Sequence, residues 1–169
     1  SGYVDGASNA GIKFRNPFGV AATSTYVYVT DAGNNSVRSI KLSDKSVSTL
    51  AGSTSGSSGS TDATGTAARF NNPAGIATDG TNLYVTDADS HTIRKIVISS
   101  GVVTTIAGTA GSSGSTDGQG STARFNVPIA LAINRAGTLL YVSDQLYTKV
   151  RKIDLTTSPV TVTTLNATF

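Results

Sequence analysis

The chain has 169 residues, with 13 basic and 10 acidic side chains for a formal charge of +3, and it contains no Cys, Met or Trp. That length suits one domain with a sizeable core; the missing Cys excludes a disulfide framework and a thiolate metal site, and the scattered charges argue against a tract built for nucleic acid. A composition rich in Gly, Ser, Thr and Val and devoid of Glu disfavours helices and favours strands joined by turns, so an all-β protein is expected.

The chain opens at Ser1 rather than Met, so a leader or a larger parent is expected to have been removed, and no apolar run of signal-peptide or membrane-spanning length is present. From Phe14 and Pro17 onward a first series of strand-like runs reads GVAAT, YVYVTD, SVRSIKLS and SVSTLAG. A Gly/Ser/Thr-rich segment, TSGSSGSTDATGTAARFNNP, leads from Thr54 to Pro73, and the runs return as GIATD, NLYVTD, TIRKIVIS and VVTTIAG. A second such segment, AGSSGSTDGQGSTARFNVP, leads from Ala110 to Pro128 and into ALAIN, LLYVSD, KVRKIDLT and VTVTTLN. Phe14, Phe70 and Phe125 are in register, as are Tyr28, Tyr84 and Tyr141, then Asp31, Asp87 and Asp144, then Arg38, Arg94 and Arg151, at a spacing of about 55 residues. The boundaries that follow are about 1–52, 53–108 and 109–169.

Four short strands per repeat are the pattern of a propeller blade. In the second run Val27 and Val29, Leu83 and Val85, and Leu140 and Val142 point one way while the tyrosines point the other, so both faces are apolar and each sheet must lie between neighbours. In the third run Arg94, Ile96 and Ile98 share one face and Ile93, Lys95 and Val97 the other, as expected near a wetter rim. Because a propeller chain must cross from the outer strand of one blade to the inner strand of the next, the Gly/Ser segments are expected to be ordered return loops. Gly would supply positive φ there, including at Gly59 or Gly114, and Thr-Asp local backbone bonds.

The unit Phe-x-x-Pro-x-Gly-Ile-Ala, Leu-Tyr-Val-x-Asp, x-Ile-Arg-Lys-Ile and Val-x-Thr-Ile-Ala-Gly resembles the NHL repeat of β-propellers from about Asp5 to Ala167. The resemblance implies four-stranded blades and rings that commonly have six, so three repeats make half a ring; the departures are the long return loop and the incomplete blade number. A β-trefoil, also threefold with four strands per repeat, is the alternative fold.

Asp31, Asp87 and Asp144 could be imagined around a shared cation, but each is expected instead to accept hydrogen bonds from the backbone of the following turn, AGNN, ADSH or QLYT. Arg38, Arg94 and Arg151, with Arg69, Arg124 and Lys13 before the anchoring Phe, could bind phosphates, as is reported for some members of this family. Without interleaved exposed aromatics the expected role is packing along a blade and bonding to a carboxylate or carbonyl of its neighbour. His91 is the sole histidine, in a turn where the first repeat has Ser36 or a near neighbour, so no multi-histidine metal site or repeated His dyad can form within one chain. Lyases and synthase-like enzymes on similar propellers use metal-binding histidines or an acidic channel residue, and neither maps onto this chain. The third repeat drifts, with Ala130 where Gly19 and Gly75 stand, and sequons occur at Asn34-Asn35-Ser36 and Asn166-Ala167-Thr168.

The expected function is a non-enzymatic structural or interaction module, extracellular or at the cell surface, without catalytic residue, cofactor, metal or membrane insertion. Phe14, Phe70, Phe125 and the repeated Asp and Arg residues would be structural. The apolar outer faces of the first and third repeats should join copies of the chain, either as a dimer closing a six-bladed ring or as a head-to-tail filament, the alternative being a fragment cut from a longer propeller. A glycan, peptide or nucleic acid held at the loop face is the alternative, with nucleic acid disfavoured.

Overall fold

The computed structural model describes residues 4–7, 11–144, 146 and 148–165. Strands β1 (Pro17–Ala22), β2 (Tyr26–Asp31), β3 (Ser36–Lys41) and β4 (Val47–Gly52) form the first antiparallel sheet. β5 (Pro73–Thr78), β6 (Asn82–Asp87), β7 (Thr92–Val97) and β8 (Val103–Ala107) form the second. The third contains β9 (Gly118–Gln119), β10 (Pro128–Ile133), β11 (Leu139–Asp144), β12 (Lys149–Asp154) and β13 (Thr161–Leu165), in the order β10-β11-β12-β13-β9. These are three up-and-down blades, as the repeat pattern requires, and the trefoil is set aside. Among the described residues no helix is long and apolar enough to cross a membrane.

Local chemistry fixes each hairpin. Between β2 and β3, and between β6 and β7, a short 3-10 turn ends on a left-handed residue, Asn35 (φ 52°) or His91 (φ 60°), and Thr148 (φ 50°) takes the same conformation before β12. Asn and His tolerate that region better than most residues. At the start of each blade Pro has no N–H to give, and the register slips between Pro17 and Val20, Pro73 and Ile76, and Pro128 and Leu131. The backbone N–H left over at the bulge, on Gly19 or Gly75, is taken by Thr30 or Thr86 Oγ1 at 2.7 Å, and that on Ala130 by Ser143 Oγ at 3.0 Å.

Two apolar layers hold the blades together. Tyr28, Val37 and Ala51 of the first blade meet Phe70, Ile76, Leu83, Val85, Ile96 and Val103 of the second. Tyr84, Ile93 and Ala107 then meet Phe125, Leu140, Val142, Ile153 and Val162 of the third. The tyrosine side of each blade therefore faces the next repeat and the Leu/Val side faces the previous one. Each fully buried Leu, Ile or Phe contributes about 1.5–3 kcal/mol. The third strand is drier than its alternation suggests: Ile93, Arg94 and Ile96 are all fully buried, because both faces of its inner half are covered.

The Gly/Ser segments are ordered crossings. Gly59 N–H donates to Phe70 O and Arg69 N–H to Thr61 O, and the second segment repeats this with Gly114 to Phe125 O and Arg124 to Thr116 O. Positive φ falls on Gly56, Gly65, Gly111 and Gly120; Gly59 and Gly114 are needed for a different reason, since a Cβ there would lie 3.0 Å from Arg69 Cβ or 2.8 Å from Arg124 Cβ. Each crossing also lends a strand edge to the outermost strand of the blade it enters, through Thr64 with Val102 and β9 with β13. The N-terminal segment does the same for the first blade, through Gly6 with Val47. An outer edge covered in this way is protected from pairing with a stranger.

Candidate functional site: the arginine nodes and the open end faces

Every repeat contains the same buried node. The guanidinium of Arg38, Arg94 or Arg151 is fully buried and lies 5.0–5.1 Å from the ring centroid of Phe14, Phe70 or Phe125. Its Nη1 donates to the buried carboxylate of Asp31, Asp87 or Asp144 at 2.9–3.0 Å. Nη1 also reaches the carbonyl of Lys13, Arg69 or Arg124, and Nη2 that of Val4, Thr61 or Thr116. Nine sequence-selected residues thus come together as three equivalent clusters. Among the described residues the pairing stays within one repeat, with the crossing segment of that repeat supplying the carbonyls where a bond to a neighbouring blade was expected.

The carboxylates also differ from expectation. Among the described residues, the backbone N–H groups that Asp31, Asp87 and Asp144 accept are those of Arg15, Asn71 and Asn126, just ahead of the opening Pro, at 2.6–2.7 Å, rather than those of the following turn. The turn contributes side chains, such as Asn34 Nδ2 to Asp31 at 2.7 Å. The turn residues Gln145 and Tyr147 lie outside the described residues. Burial pushes the Asp87 carboxyl up to about 6, opposed by the Asn71 N–H and Arg94; burial raises Asp144 as well.

A further member of the node, Asp5, Asp62 or Asp117, was not foreseen. Asp62 and Asp117 bond Nη2 of their arginine at 2.7 and 2.8 Å, and Asp5 bonds Arg38 Nε at 3.0 Å as well as its Nη2. The second oxygen of each accepts the backbone N–H of Thr49, Thr105 or Thr164 on the outer strand at 2.9–3.1 Å. The sequence signal is an Asp 32 to 34 residues ahead of each repeated Arg. Burial alone would raise Asp117, but the Thr164 N–H and hydroxyl and the Arg151 charge outweigh it and hold the carboxyl below its ordinary value. The side chains of Arg69 and Arg124 turn back onto their own loop, at Ala68 O and Ala123 O among others, while Lys13 contributes its carbonyl to the first node.

The contacts between blades are equally regular. Thr30 Oγ1 donates to Ala74 O at 2.5 Å and Thr86 Oγ1 to Ile129 O at 2.7 Å, so each hydroxyl links its own bulge to the next blade. Asn35 Oδ1 accepts Asn72 N–H at 2.9 Å, and His91 Nδ1 accepts Val127 N–H at 3.2 Å. His91 therefore stands where the first repeat has Asn35, the neighbour of Ser36, and both accept a backbone N–H of the next blade. Asn34 is 4% exposed and bonded to Asp31, which removes it as a glycan acceptor; Asn166 lies outside the described residues.

Among the described residues, the two end faces show more exposure than the joints between blades. Val20 is 69% exposed where its equivalent Ile76 is 6%, and Val150 is 46% exposed where Val37 and Ile93 are fully buried. Phe18 and Leu165 are also exposed. On the first blade Val29 and Val47 are buried, while Phe14 is only partly so.

No family model matches the chain. NHL repeat-containing protein 2 of Bos taurus is 31% identical over 160 residues, and that of Homo sapiens 30%, each alignment covering 88% of this chain. The chain spans 22% of the length of either relative. Among solved structures, an auxiliary nutrient binding protein of Bacteroides thetaiotaomicron superposes with a TM-score of 0.70 at 21% identity, over 79% of this chain and 36% of its own. A virginiamycin B lyase of Staphylococcus aureus, solved as a catalytically inactive variant, gives 0.60 at 16% identity over 94% of this chain and 44% of its own, a likeness of fold alone. With the repeat motif in three successive four-stranded blades and relatives that bear the repeat in their names, the chain belongs with the NHL-repeat β-propellers.

Proposed function

We propose that this chain is a non-enzymatic structural and interaction module that joins its two end faces to those of a second copy, closing a six-bladed ring. The observation that carries the reading is the contrast in exposure between equivalent residues: Val20 against Ile76, and Val150 against Ile93. The two end faces are different surfaces that carry the positions through which successive blades meet, so their pairing is a head-to-tail contact that closes at two copies or continues as a filament. The repeated carboxylates and guanidiniums are occupied in structural bonds, which supports a scaffold over a catalyst, and the names of the curated relatives state no activity.

Light scattering across micromolar concentrations should give twice the chain mass of 17.1 kDa, and Val150→Lys should give a folded monomer. A wild-type monomer throughout that range overturns the reading; a ladder of higher masses indicates the filament. A second reading, a glycan-binding module, is favoured by a cleft of about 310 Å³ between the first two blades. It is lined by stacked Tyr26 and Tyr28 and by the bonded Ser39 and Ser48 hydroxyls. Saturable glycan binding lost in Tyr26→Ala would favour it.

A further inference from the structure

The two joints inside the chain share a tight backbone contact. A Cβ built on Gly19 would lie 2.6 Å from Ala74 O, and one on Gly75 would lie 2.4 Å from Ile129 O. Both positions are glycine because the next blade's carbonyl occupies the space that a side chain would take. In the third blade the same register position is Ala130, which is exposed and whose Cβ, by equivalence with Gly19 and Gly75, stands where a next blade would meet it.

From this we infer, resting on the self-assembly proposed above, that Ala130 sets the geometry of the joint between copies and makes it wider than the joints within a copy. The opposing atom would be Phe18 O of the second copy, equivalent to Ala74 O and Ile129 O. Ordinary contact with a methyl group requires the blades to part by about 1 Å relative to the internal joints. The same displacement carries Ser143 Oγ, which stands where Thr30 and Thr86 donate at 2.5 and 2.7 Å, to about 3.5 Å or more from that carbonyl, beyond hydrogen-bond reach. A closed pair therefore has four tight joints and two loose ones, and Ala130 acts as a spacer that weakens association without touching the fold of either copy.

A mutant cycle on the dissociation constant of the dimer, measured by sedimentation over a concentration series, tests this. Ala130→Gly should close the joint, form the Ser143 bond and tighten the dimer about tenfold. Ser143→Ala should leave the wild-type constant within about twofold but abolish the gain in the Ala130→Gly background. Dimerisation unchanged or weakened by Ala130→Gly, or Ser143→Ala acting equally in both backgrounds, overturns the spacer while leaving self-assembly intact. Monomers in wild type and Ala130→Gly alike overturn both. Circular dichroism of each variant confirms that the blades are folded, and Gly75→Ala, at an internal joint, should destabilise the fold itself.

Discussion

Replacing Asp87 by Ala in the middle blade tests whether the nodes hold the blades in shape. The carboxylate is fully buried and accepts the Asn71 N–H at 2.6 Å and Arg94 Nη1 at 3.0 Å. Its loss leaves Arg94 buried, facing Asp62 at 2.7 Å, two carbonyls and the Phe70 ring. Asp62 is 45% exposed, so its charge is partly shared with water and offsets the loss incompletely. Removing one partner of a buried pair costs about 3–5 kcal/mol, a large part of the 5–15 kcal/mol that keeps an ordinary domain folded. With a urea slope near 2 kcal/mol/M, the unfolding midpoint should fall by about 2 M. Circular dichroism reports the transition in a chain that has no Trp. Adding Arg94→Met to Asp87→Ala should cost less than the sum of the single changes by at least about 1 kcal/mol, since the stranded charge is gone. A midpoint shift below about 0.5 M, or strict additivity, would refute the node as a unit of stability.

Asp117→Asn should destabilise at pH 7 but hardly at pH 2.5. The folded carboxyl is held below its unfolded value near 4, so its contribution is present above that value and lost as pH falls through the folded one; an equal loss at both pH values in thermal unfolding counts against the bonds to Thr164 and Arg151. Val127→Asn should raise the melting temperature by about 2–4 °C, because a β-branched residue sits at φ 56° where the other repeats have Asn16 and Asn72; a fall would show that the left-handed strain is not released. Gly114→Val should destabilise through its clash with Arg124, at about 1–3 kcal/mol, and a neutral result in urea would contradict the close approach. Hydrogen exchange should show protected amides at Gly59, Arg69, Gly114 and Arg124, and random-coil rates there would reduce the crossings to linkers.

Blade number, strand count and the two-sided burial of the second strand were legible because they depend on alternation and register along one run, as with Tyr84 between Leu83 and Val85. The node was legible only as unconnected residues. Arg94 and Asp87 sit seven apart on adjacent strands, but Asp62 reaches Arg94 across 32 residues of chain, a relation fixed by the path of the crossing rather than by any local pattern. The Asp87 partner was hidden for the same reason: the following turn is near in sequence, yet the backbone N–H that the carboxylate accepts belongs to Asn71, ahead of the opening strand. Ala130 was visible as a departure from Gly19 and Gly75, but its meaning depends on a backbone carbonyl of another blade.

The incoming crossing supplies Asp62, the Thr61 carbonyl and Phe70 to the node of the blade it enters, together with an edge partner at Thr64. The portable unit of this architecture is therefore not the visible sheet from Pro73 to Ala107 but that sheet with its preceding segment. A graft of residues 53–108 into another propeller would bring a complete charge cluster with it, whereas a graft of 73–107 would carry a buried arginine that has lost its Asp62 carboxylate and outer carbonyl. Gene duplication that copied whole units of this kind would multiply blades without ever stranding a charge, and shuffling at the apparent strand boundary would fail at the first fold.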